Sequence, residues 1–170
     1  MKSAQTLLML ASAAAATAAT SKPTAVTVDN EPWYLLLDLG DLTPTEGIES
    51  SPNRKILTFG NDKDVRLSVI VQKVHAPATL AGCRDLFDRR KRGEGDLIPA
   101  NEVQWQQGDT SIQEFEWFFG SGDKTIIHHN TFSCRVRGNY YIDVHASKAG
   151  YRPSDHDALM ALINDVRIVD

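Results

Sequence analysis

The sequence predicts one small α+β domain, an antiparallel β-sheet flanked by helices. Three observations carry that expectation. Several consecutive stretches alternate apolar and polar residues and are joined by Gly, Asn and Asp, which is the hairpin pattern. Two other stretches, at 80–90 and 154–166, space their apolar residues as helices do. The length beyond an N-terminal leader is about 150 residues, which suits a single core.

Residues 1–18 read as a cleavable secretory signal peptide. Lys2 and the amino terminus supply a positive start. Thr6 to Ala16 is a short uncharged apolar run, and Ala16-Thr17-Ala18 is an Ala-x-Ala cleavage signature. The run is shorter than the about 20 apolar residues that a spanning helix needs. The expectation is a bacterial protein that is periplasmic or secreted, with no transmembrane segment after cleavage. Loss of Lys2 takes the formal charge from −4 to −5. A mildly acidic chain argues against nucleic-acid or anionic-membrane partners, which select a basic surface.

Residues 19–32 read as an extended arm containing Pro23 and Pro32, and residues 33–170 as the domain. Trp33 to Leu39 is a candidate first strand. Gly40 to Asn53 is rich in turn formers. Arg54 to Phe59 and Arg66 to Val74 form a hairpin around a Gly60 to Asp64 turn, with Leu67, Val69 and Val71 on one face. Leu80 to Arg90 is a helix with Thr79 as N-cap, and Leu80, Cys83, Leu86 and Phe87 line its inner side. The basic run Arg89 to Arg92 suits the helix C-terminus, where cations complement the dipole. It is also a candidate contact for anionic lipid or polymer. Glu102 to Gln107 and Ile112 to Phe119 are further strands. Lys124 to Arg137 and Tyr140 to Ala146 form a long hairpin. Ser154 to Val166 is a helix capped by Ser154, with Leu159, Leu162, Ile163 and Val166 as its stripe. Arg167 to Val169 is a short final strand.

Two cysteines, Cys83 and Cys134, are far apart in sequence. In an oxidising compartment such a pair forms a structural bridge rather than a Cys-x-x-Cys redox centre. Closing a loop of about 50 residues stabilises by roughly 3–4 kcal/mol. In the long hairpin, one buried face is expected to hold Phe132, Cys134, Val136, Ile142 and Val144. Opposed residues share a face, so this sets Cys134 opposite Ile142 and His145 opposite Thr131. It also implies a three-residue loop, Arg137 to Asn139.

The order of elements is that of a known group: a Trp segment, a hairpin, a helix, an aromatic strand, a long hairpin and a final helix. It is joined by the phrase Gly138-Asn139-Tyr140-Tyr141-Ile142-Asp143-Val144-His145, then Ala146-Ser147-Lys148, an Asp-containing helix start and Leu159 to Val166. In these features the chain, from about Trp33 to Asp170, resembles the PsbP-like superfamily. That group includes the extrinsic P subunit of the oxygen-evolving photosystem and many small exported bacterial proteins. The resemblance implies an α/β/α sandwich and a non-enzymatic role in assembly, interaction or envelope maintenance. The cysteine pair is not general to the group, and no functional residue of the group matches here.

The expected hairpin register also collects polar residues. His129, His145 and Asp143 would share one face and offer two imidazoles and a carboxylate to a metal. No His-x-His or His-Glu-x-x-His spacing accompanies them. Ser133 with His145 and Asp143 lacks the strained turn of a nucleophile elbow. Glu114 and Glu116 face one way and are expected to lie on the wet side of the sheet. Trp33, Trp105, Phe115, Trp117 and Phe119 read as core, with Phe118 turned outward. No cofactor motif is present, and no cofactor is expected. The sequence therefore points to a non-enzymatic exported domain that binds a protein or ligand, with another envelope protein as partner. The alternatives are a metal-dependent or hydrolytic enzyme using the His129/His145 face, and a structural accessory subunit.

Overall fold

The structure is a computed structural model, and it describes residues 23–45, 49–93, 98–120 and 125–170. The signal-peptide expectation for residues 1–18 lies outside the described residues, as do the side chains of Arg90, Lys91 and Arg92.

An eight-stranded antiparallel sheet forms the body. Its strands are β3 (Thr43–Pro44), β4 (Glu49–Ser51), β5 (Arg54–Gly60), β6 (Val65–Lys73), β7 (Ala100–Gln107), β8 (Thr110–Phe119), β9 (Ile126–Arg137) and β10 (Tyr140–Ala149). They run in the order β3-β5-β6-β10-β9-β8-β7, with β4 also on β5. A three-stranded sheet pairs β2 (Tyr34–Leu37) with both β1 (Thr24–Thr27) and β11 (Val166–Val169). Helix α1 (Leu80–Gly93) crosses from β6 to β7, and α2 (His156–Asn164) precedes β11. The fold is thus mostly antiparallel sheet, with two short helices.

Both faces of the large sheet are buried. One face carries Leu57, Phe59, Leu67, Val69, Val71, Ile142 and Val144. These pack with Leu35 and Leu37 of β2 and with Leu159 and Ile163 of α2 in one apolar core. The opposite face carries Phe115, Trp117, Phe132 and Cys134 beneath Cys83 and Phe87 of α1. The small sheet and α2 together cover the first face, where an α/β/α sandwich would place helices alone. The arm expected over residues 19–32 contains β1, whose Thr24 pairs with Leu37. Its alternation is too short, at four residues, to register as a strand in the sequence.

The long hairpin departs from its expected register by one residue. Asp143 lies opposite Cys134, His145 opposite Phe132, and Tyr140 opposite Arg137, which leaves a two-residue Gly138-Asn139 turn. Gly138 takes φ +57, the left-handed value that suits a glycine in a tight hairpin. The expectation failed because it assumed a single apolar face. Phe132, Cys134 and Val136 turn toward α1, whereas Ile142 and Val144 turn toward the small sheet, so the two apolar sets need not oppose one another.

Helix α1 begins as its sequence suggests, with the Gly82 amide donating to Thr79 Oγ1 at 3.1 Å. Helix α2 does not. Pro153–Asp155 form a 3-10 turn, Asp155 rather than Ser154 precedes the helix, and the Arg152 amide donates to Asp155 Oδ2 at 2.9 Å.

Candidate functional site

The register decides which polar residues meet. His145 and Asp143 stand on the α1 side of the sheet, with Phe132 and Cys134. His129 stands opposite Lys148 on the other side. The three residues expected to form a ligand face are therefore divided between two faces. Ser133, opposite Val144, is likewise separated from His145 and Asp143. On the α1 side, His145 stacks nearly parallel to Phe132 at 4.0 Å between ring centres, and its Nε2 lies 3.0 Å from Asn130 Oδ1. Asp143 is buried there.

Cys83 and Cys134 form a disulfide between α1 and the sheet, with Cα atoms 5.7 Å apart. Phe87 and Phe115 pack around Phe132 beside it, at 5.7 and 5.6 Å between ring centres. The bridge therefore holds the helix on an aromatic layer.

On the opposite side the structure assembles a cluster that the sequence reading dispersed. Glu114, expected on a wet face, is only 7 % exposed, and His129 only 6 %. Glu114 Oε1 accepts hydrogen bonds from Thr131 Oγ1 at 3.1 Å and from His156 Nε2 at 3.0 Å, with His129 Nε2 at 3.5 Å. His129 Nδ1 lies 3.3 Å from Glu116 Oε1. The His129 ring stacks on Tyr151 at 4.1 Å between centres. Two strands and the first residue of α2 thus meet on one carboxylate, with Tyr151 of the β10–α2 connection packed on His129 beside it.

Burial works to raise the Glu114 pKa, but the His129 hydrogen bond and the His156 charge outweigh it, so the value falls below normal. Burial, with the neighbouring carboxylates, pushes the Tyr151 phenol up. A carboxyl poised as a general acid needs the reverse shift, toward neutrality. Glu114 is instead a fixed anion that ties α2 to the sheet. Among the described residues, no group of three or more His, Cys, Asp or Glu is arranged to hold a metal. His156 and Thr131 were the missed members. Their signal in the sequence is faint, because the alternation of Glu114 with Phe115 is identical for a sheet buried on one face or on two.

A second charge, half-buried, lies on the same face. Arg135 Nε donates to Thr110 Oγ1 at 3.0 Å and its guanidinium donates to the Val166 carbonyl, joining β9 to β11. Burial lowers its pKa.

Two clefts of about 250 Å³ open elsewhere. One lies between β1 and β5, lined by Val26, Pro44, Leu57 and Phe59 among others. The other lies beside α2, with Leu42, Val65, Leu159 and Leu162 and the ion-paired Lys63–Asp41 and Lys148–Asp155 in its walls. Neither is lined by Glu114, His129 or His145. Among the described residues Ile98 and Val103 are exposed, and a further group of exposed apolar residues is at the turn end of the β8–β9 hairpin. Phe118, Phe119 and Ile126 are 46, 39 and 52 % exposed, and Phe119 pairs with Ile126. Phe118 is turned outward as expected, whereas Phe119, expected in the core, is exposed as well. No described helix is long and apolar enough to cross a membrane.

No protein-family model and no curated protein matches the chain. Among solved structures, the chain is similar to the solution structure of cyanobacterial PsbP (CyanoP) from Synechocystis sp. PCC 6803. The TM-score is 0.56 at 16% identity, and the match covers 94% of this chain and 98% of that one. The match spans both sheets, so the arrangement read from the element order stands: the chain has a PsbP-like fold.

Proposed function

We propose that the chain is a non-enzymatic accessory domain that works outside the cytoplasm by binding another protein of the cell envelope. The observation that carries this reading is the apolar end of the β8–β9 hairpin, where Phe119 and its partner Ile126 stand exposed on one face and Phe118 on the other. Exposed aromatic clusters mark interaction surfaces more often than single exposed residues do. The titratable cluster supports the same reading from the other side, since its central carboxylate is fully engaged in holding α2. The PsbP-like fold supports the accessory role, and the signal-peptide pattern of residues 1–18 supports the extracytoplasmic location.

The test is native mass spectrometry and chemical crosslinking on protein isolated gently from the extracytoplasmic fraction. The expected result is a cleaved, oxidised chain with no bound small molecule, crosslinked to a protein partner that is lost in Phe118→Ser/Ile126→Ser. A stoichiometric metal or small molecule, or a partner indifferent to those substitutions, overturns the reading.

A further inference from the structure

We infer that the outer edge of β7 is a self-association surface, which pairs antiparallel with β7 of a second copy of this chain. Strand β7 ends the eight-stranded sheet, and among the described residues no strand lies along its outer side. A strand so placed presents alternate backbone N–H and C=O groups outward, ready to pair. Folded proteins guard such edges with charge, proline, a bulge or a covering segment.

Here the guard covers half the strand. A register shift lies between Ala100 and Val103, with Asn101 at φ +52. Past it, Val103 to Gln107 pair regularly with Glu114 to Thr110. Those five residues, Val-Gln-Trp-Gln-Gln, contain no charge and no proline. The strand's only charged residue, Glu102, belongs to the shifted part and is engaged inward, accepting from Gln113 Nε2 of β8 at 2.6 Å.

The free stretch is complementary to itself. A twofold axis normal to the sheet continues both faces when the paired positions sum to an even number. Centring on Trp105 sets Trp105 against its own copy, Val103 against Gln107, and Gln104 against Gln106. No like charges meet, and the glutamine amides each donate and accept. Moving the centre to Gln104 runs the ladder into the bulge, and moving it to Gln106 runs it into the Gly108 turn. One register therefore uses the whole free stretch. A foreign strand would find the same backbone groups, but Val103 to Gln107 carry no charge and line none of the described clefts, so nothing there selects its side chains. Five residue pairs bury less than the about 1,600 Å² of a standard stable interface, so the dimer is weak and forms with rising concentration.

The test is sedimentation velocity over a concentration series, using the oxidised, leader-free chain. Wild type is expected to shift toward dimer as concentration rises. Gln104→Lys/Gln106→Lys and Gln104→Glu/Gln106→Glu, which set like charges against each other, stay monomeric, and an equimolar mixture of the two regains the dimer. Both positions are exposed, and circular dichroism checks that each variant folds. Hydrogen exchange on wild type gives a readout that needs no variant: amides within Val103 to Gln107 gain protection on concentration. A wild-type chain that stays monomeric overturns the inference. So does a dimer that both charge variants retain, exchange that is insensitive to concentration, or a monomer that captures an extended segment of another protein along β7 instead.

Discussion

The ring of Tyr141 occupies the space into which any side chain at Gly82 would project. A Cβ built on Gly82 would overlap the Tyr141 hydroxyl oxygen and lie 2.8 Å from ring carbon Cζ. The glycine thus sets how closely α1 approaches β10. Gly82→Ala is expected to destabilise by about 1–3 kcal/mol, the usual range for overpacking. In a double-mutant cycle with Tyr141→Ala most of that loss should disappear, as chemical denaturation would show. Additive losses would place the Gly82 effect elsewhere.

The disulfide gives a second expectation. Cys83→Ser removes the only covalent tie between α1 and the sheet among the described residues, and should cost about 2–5 kcal/mol. Thermal melting should fall by the same amount in wild type treated with a reductant. A melting point unmoved by either change would show that α1 stays in place without the bridge.

Glu114 predicts an acid limb. Its pKa is lowered in the folded state from a normal 4.5, so the unfolded chain binds the proton more readily. The stabilisation is complete above about pH 4.5 and is lost as the pH falls through the folded value. Glu114→Gln should cost about 1–3 kcal/mol at neutral pH and flatten this limb. Urea denaturation at a series of pH values reads both effects, and an unchanged acid limb in the variant would remove Glu114 from the account.

His129 and His145 should behave independently. His129→Ala leaves Glu114 and Glu116 short of a donor in a buried setting, at a cost of about 1–3 kcal/mol. His145→Ala loses the stack on Phe132, at about 0.5–1.5 kcal/mol. Because the two lie on opposite faces, the double variant should be additive within about 0.5 kcal/mol. A larger coupling would revive a shared face.

The elements legible in the sequence were those set by local pattern. The β5–β6 hairpin, α1 with its Thr79 cap, and the aromatic strand β8 each carry their signal within a dozen residues. The cysteine pair was legible by elimination, since only two are present. The Glu114 cluster was not legible, because it depends on pairing between strands. One residue of slip in the β9–β10 hairpin moves His129 and His145 from one face to two, and only tertiary packing on both faces fixes that register. Strand β1 is four residues, too short for periodicity to speak, whereas β11, of the same length, was legible at Arg167 to Val169.

That small sheet bears on how the domain is made. Leu37 of β2 pairs with Thr24 on one side and with Val166 on the other. A chain that emerges from its N-terminal end, whether from a ribosome or through an export channel, presents β2 long before β11 exists to flank it. Until then Leu35 and Leu37 lack part of the layer that buries them. Completion of the core is thereby deferred until the C-terminal strand has been made.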